Sequence, residues 1–144
     1  MTTKRTPARE AALQLLFVHD QNDGVAREDV VRYLREQLPD PAARDFALGL
    51  YDGTLARLED IDARIGGAAE NWRLERIACR DRNAIRRGAY ELMPGESGPA
   101  GAVMNEAIEL ARKFGSADSP GFVNGVLDRV LREWKAAPTE SVAP

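Results

Sequence analysis

The stretch Asn105–Asp128, NEAIELARKFGSADSPGFVNGVLD, contains two helices and the corner between them. Val103, Ala107, Leu110, Ala111 and Phe114 recur at spacings of three and four, so they line one stripe of a helix that faces a core. Gly115 is expected to close that helix in the left-handed backbone that glycine tolerates. Asp118-Ser119-Pro120 then offers capping side chains and a proline suited to a first helical turn, so a second helix starts near Ser119. Its apolar stripe is Val123, Val126, Leu127, Val130, Leu131 and Trp134, which leaves Phe122 at the edge of the stripe, near the helix start and among polar neighbours.

Working outward, the same reading extends to the rest of the chain. Thr6-Pro7 opens a helix from Ala8 to about Asn22, with Ala12, Leu15, Leu16 and His19 on one face and Asn22-Asp23-Gly24 as its stop. Ala26–Leu38 is a shorter amphipathic helix ended by Pro39. Asp40-Pro41 repeats the cap-plus-proline start of a helix predicted to run to Ile65 and to close at Gly66-Gly67. Trp72, Leu74 and Ile77 indicate a short helix, and Ile85, Ala89 and Leu92 a longer one over Arg80–Met93. Pro94–Pro99 reads as a loop. No sustained alternation of apolar and polar residues marks a strand, so the fold class is all-α, a compact domain of about seven helices. The domain spans residues 1–137, with residues 1–6 as a flexible basic arm and 138–144 as a disordered tail.

Composition narrows the function. At 144 residues the chain fits one domain, and a domain of that size buries roughly 70% of its unfolded surface. One cysteine, Cys79, excludes an internal disulfide and a cysteine-rich zinc site. No apolar run is long enough to cross a bilayer and no signal peptide opens the chain, so a soluble, cytoplasmic protein is expected. The net charge of −3 argues against a uniformly basic nucleic-acid binder and confines any such role to local patches. There are two. Residues 1–9 carry Lys4, Arg5 and Arg9 and no acid, and between Trp72 and Tyr90 six arginines face only Glu75 and Asp81.

No catalytic constellation stands out. His19 is the only histidine and lies on the apolar side of its helix, where a structural role is the simplest reading. Neither a Gly-rich phosphate loop nor a metal-ligand motif occurs, so neither enzyme activity nor a cofactor is expected. Glu106 and Glu109 beside Arg112 and Lys113 read as a salt-bridged solvent face, with Glu109 and Lys113 at the i,i+4 spacing.

NEAIELARKFG followed by DSPGFVNGVLD resembles the signature of the bacterial transcription antitermination factor family NusB. The likeness extends to Ala8–Phe17 and to the run from Asn71 through Arg82 and Arg86 to Tyr90-Glu91-Leu92. It implies a three-helix N-terminal half packed on a four-helix C-terminal half. It further implies a non-catalytic factor that binds boxA RNA of ribosomal RNA leaders together with the ribosomal protein NusE and acts on RNA polymerase through that partner. Self-association stays open.

The resemblance also assigns residues. Lys4, Arg5 and Arg9 match the basic N-terminal segment that holds RNA, Arg86 matches a family arginine, and Phe122 matches a phenylalanine placed near RNA. Phe17, Asp81 and Asp118 match positions of the protein-partner surface. Each has a plain alternative: a solvated terminus for the arm, a solvated helix face for the arginines, core packing for Phe17 and Phe122, and helix capping for Asp118. Arg87, Gly88 and Gly121 depart from the family pattern. The interior glycine is expected to weaken its helix by about 1 kcal/mol. Two other functions remain: an RNA-binding domain like those of ribosomal RNA methyltransferases, which would need a further cofactor-binding α/β domain, and a helical adaptor that binds protein only.

Overall fold

The computed structural model describes residues 5–22, 24–68, 76–93 and 99–136. Lys4, the segment with Trp72 and Leu74, residues 94–98, expected as a loop, and residues 137–144 lie outside them. Seven helices occur among the described residues: α1 Thr6–Asn22, α2 Arg27–Gln37, α3 Pro41–Ala56, α4 Leu58–Ala68, α5 Cys79–Leu92, α6 Ala100–Phe114 and α7 Ser119–Ala136.

Local signals set several boundaries. Asp40 caps α3 by accepting from the Ala42 backbone N–H at 3.3 Å, with Pro41 in the first turn. The turn after α1 needs glycine, because Gly24 has φ 132°. Arg44 of α3 donates to the carbonyls of Leu38 (2.6 Å) and Pro39 (2.8 Å), satisfying groups left open by the end of α2.

The predicted long third helix is in fact two. The break falls at Arg57, whose φ of −110° and ψ of 17° leave the helical range. Ala47, Leu50 and Tyr51 of α3 are buried, with Ala47 and Tyr51 in one core alongside Leu15, Leu16, Val30 and Leu34, whereas Ile61 and Ile65 of α4 enter a second core with Ile85, Val103, Val123 and Leu127. A straight helix cannot serve both, so the chain kinks. The halves are therefore α1–α3 and α4–α7, and Gly66 and Gly67 sit inside α4 instead of closing it.

α5 joins the halves. It packs on α1 and α3 as well as on α4, α6 and α7, and nine of its residues are buried. Gly88 explains how: a Cβ there would stand 2.8 Å from Leu127 Cδ1, so the missing side chain lets α7 approach. The same device works at Gly53 of α3, where a Cβ would overlap the ring of Tyr90. Gly53→Ala is expected to destabilise the protein by about 1–3 kcal/mol, since displacing the ring outweighs a helix-propensity gain of about 1 kcal/mol. Urea denaturation checks this, and a variant as stable as wild type would show that the α3–α5 contact yields freely.

Candidate nucleic-acid and partner interface

The arginines of α1 and α5 divide into an inner and an outer set. Arg9, at 5% exposure, donates from Nε and Nη2 to Glu91 at 3.0 and 2.7 Å, and its Nη1 lies 3.7 Å from Glu106. Glu91 is 1% exposed and also pairs with the fully buried Arg87 one turn away. Thr6 Oγ1 donates to Glu106 at 2.9 Å, which completes a network joining α1, α5 and α6. Burial pushes the Arg87 guanidinium down to about 9, with the Arg9 charge acting the same way and Glu106 opposing. Burial also lowers Arg9, against the pull of Glu106. Arg87, one of the residues that depart from the family pattern, is thus enclosed.

A second network fastens the other end of α1. Asp20 accepts from Arg82 at 2.7 Å and Asn83 at 3.0 Å, and Arg86 reaches it at 3.3 Å while gripping Asp62 at 2.8 and 2.9 Å. Burial alone would raise the Asp20 carboxyl, but hydrogen bonds from Arg82, Asn83 and Cys79 together with the Arg82 charge hold it below its ordinary value. The Cys79 thiol moves up, mainly through burial. Arg86 is 8% exposed.

The sequence reading expected Arg9 and Arg86 on a common open face. Their guanidinium groups are instead turned inward, because carboxylates distant in sequence meet them, Glu91 in the core and the half-buried Asp62 beside it. Arg5 is exposed and lies 4.4 Å over the Phe46 ring. His19 packs edge-on against Tyr51 at 6.2 Å.

The remaining assigned residues gather where the first turn of α5 meets the start of α7. Phe122, half-buried against the C-terminal core, lines a hollow of about 290 Å³ with Arg76, Ile77, Ala78, Asp81 and Asp118. A neighbouring hollow of about 510 Å³, lined by Phe17, Arg80, Phe114 and Ser116, shares Ala78 and Asp81 with the first. Phe17, Asp81, Asp118 and Phe122 therefore border two adjoining depressions. The carboxylates of Asp81 and Asp118 make no hydrogen bond or ion pair with a described residue, and the corner is held by Ser119 Oγ accepting from the Ser116 N–H at 2.8 Å, not by Asp118. Lys113 likewise bridges to Glu10 on α1 at 2.9 Å, while Glu109 takes Arg112.

Sequence reasoning did not single out Arg76 and Arg80. Both are exposed here. The signal was available, because both precede the apolar stripe Ile85-Ala89-Leu92 and so sit at or before the first turn of α5, where a side chain need not be buried. No group of three or more histidine, cysteine, aspartate or glutamate residues among those described is placed to hold a metal, and no described helix is long and apolar enough to cross a membrane.

Two helical halves sharing a central α5, with aromatic rings and uncompensated charges at one end, define an all-α protein with a non-catalytic type of binding surface. The family model described as the NusB family matches residues 6–132. The transcription antitermination protein NusB of Sorangium cellulosum (strain So ce56) is 44% identical over 126 residues, covering 88% of this chain and 90% of that protein. NusB of T. maritima superposes with a TM-score of 0.80 at 34% identity over the full length of both chains. A chain from a crystal structure of antitermination factors NusB and NusE in complex with dsRNA gives a TM-score of 0.82 at 27% identity, covering 92% of this chain and 98% of that one. The chain belongs to the NusB family.

Proposed function

We propose that this protein is a non-catalytic, cytoplasmic transcription antitermination factor that binds boxA RNA together with NusE and acts on RNA polymerase through that partner. The observation that carries the reading is the family match over residues 6–132, which takes in α1 and the α6–α7 corner. The structural likeness to a NusB solved with NusE and RNA supports it.

The geometry gives the reading a mechanism. Arg5 stands at the start of α1 and Phe17 twelve residues on, a separation of about 18 Å along a helix. RNA held by the basic segment at one end and stacked on Phe122 beyond the other would follow the groove between α1 and α6, which is lined by Thr6, Glu10, Asn105 and Lys113. Lys4 and Arg5 supply phosphate attraction, and Phe122 supplies a ring for a splayed base. Arg9 and Arg86 contribute by holding α1 and α5 in place. Phe17, Asp81 and Asp118 belong to the partner surface, and a protein seated there adds its own RNA contacts to the same strand, so that binding is cooperative.

Titration of labelled boxA RNA with the protein alone, with NusE and at rising salt tests this. NusE is expected to tighten binding, and affinity is expected to fall with salt by about 0.7 log units per tenfold for each phosphate neutralised. Affinity indifferent to both would refute the reading. Phe122→Ala is expected to weaken RNA binding by about 1–3 kcal/mol with the fold retained. A loss of folding with unchanged affinity per folded molecule would instead mark the ring as core.

A further inference from the structure

α1 and α5 meet at Gln21, whose Nε2 donates to Cys79 Sγ at 3.2 Å, and one turn earlier at Phe17. The Arg80 guanidinium lies 5.2 Å over the Phe17 ring, and its Nη1 donates to the Phe114 carbonyl at 3.2 Å, at the end of α6. Two helices thus fix the orientation of this fork from two sides. Arg82 and Arg86 on the same helix are committed to Asp20 and Asp62. Arg80 differs from both: it is exposed and has no ion-pair partner among the described residues. An arginine carries five N–H donors, and only one of them is engaged by a described residue.

We propose that Arg80 is the charged anchor of a protein-docking surface in the hollow between Phe17 and Phe114, where it receives a carboxylate from an acidic side chain of the partner protein. The inference rests on the reading that NusE binds this end of the molecule. A planar, charged fork matches a carboxylate with two parallel hydrogen bonds, and holding it in place beforehand lowers the entropy lost on binding. A phosphate offers similar geometry, but Asp81 lines the same hollow as Arg80, so a phosphate seated on the fork would face that uncompensated carboxylate. A protein can place one acid on Arg80 and other groups beside Asp81. The rings of Phe17 and Phe114 beside Arg80 are half-buried, and an arginine among apolar groups is the usual composition of an interface centre.

The test is calorimetric titration of NusE into the full chain carrying Arg80→Met, Arg80→Lys or Arg80→Glu, in parallel with boxA RNA titrated into each protein alone. Arg80→Met is expected to weaken NusE binding by about 10- to 30-fold, Arg80→Glu by more, and Arg80→Lys by less. RNA affinity of the protein alone is expected to stay within about twofold, and the salt dependence of NusE binding to become shallower in Arg80→Met. Wild type that fails to bind NusE would remove the underlying reading and this inference with it. Wild-type binding that all three variants match would remove the inference alone. A fall in RNA affinity with unchanged NusE binding would overturn it in favour of a phosphate contact. Circular dichroism confirms that each variant is folded, which an exposed position permits.

Discussion

Replacing Glu91 with glutamine is expected to cost about 3–5 kcal/mol of folding stability, the typical effect of removing one partner from a buried ion pair. Glutamine keeps the size and shape of the side chain, so packing against the neighbours changes little and the lost charge carries the effect. That charge is shared: Arg9 donates to both carboxylate oxygens at 3.0 Å from Nε, and Arg87 pairs with the same group. Without it two guanidinium groups remain in the core, with only Glu106, 3.7 Å from Arg9, to compensate. Arg87→Met is the informative contrast. It removes a cation whose Nε and Nη2 have no hydrogen-bond partner, and it leaves Glu91 fully engaged by Arg9. Removing one member of a buried pair is costly when it leaves the other charge uncompensated, and here Glu91 keeps Arg9, so this variant should lie within about 2 kcal/mol of wild type. Guanidinium chloride denaturation of both measures the difference. Equal losses would mean that the network acts through volume and not charge.

That network also shows where reading a sequence stops. The α6–α7 corner and the start of α3 were legible because their signals are local: a stripe at helical spacing, a proline in the first turn, an aspartate before it. Whether an arginine points into solvent is not local. Arg9 finds its acid 82 residues away and Arg86 finds one 24 residues away, so the arginine run looks like a surface patch until the chain is folded. The α3–α4 kink is hidden for a related reason. Ile61 and Ile65 continue the helical spacing of Leu50 and Tyr51 without interruption, and only the existence of two cores makes a straight helix impossible.

The glycines taught the same lesson. Gly115 was expected in the left-handed region but has φ −105° and ψ −160°, and its lack of a side chain makes room for Ser119. Gly88 looked like a weak point in a helix, yet the space its side chain would take is filled by Leu127 of α7. Of the candidate site, Phe17, Asp81, Asp118 and Phe122 were named from the family pattern, and folding places them around two adjoining hollows. Arg80 was missed because an exposed arginine gains meaning only from the ring beneath it and the carbonyl beside it.

The hollows depend on how firmly the end of α1 is held against the start of α5, and Asp20 is the group that holds it. Asp20→Asn is expected to cost about 1.5–3 kcal/mol, the range for hydrogen bonds to a charged group. The cost is smaller than at Glu91 because Arg86 keeps Asp62 and Arg82 keeps the Ile77 carbonyl at 3.1 Å. The pH dependence identifies the cause. The folded carboxyl titrates below its ordinary value of 3.8, so its stabilising contribution is complete above that value and is lost as pH falls through the lower folded one. The stability gap between wild type and Asp20→Asn should therefore be constant from neutral pH to about 5 and close in stronger acid. A gap that persists at low pH would assign the loss to altered packing. The same variant should weaken NusE binding at neutral pH more than RNA binding by the protein alone. Arg82 and Asn83, released from Asp20, no longer fix the turn that carries Arg80 and Asp81, whereas the start of α1, next to Arg5, is held through the separate network of Arg9 and Glu91.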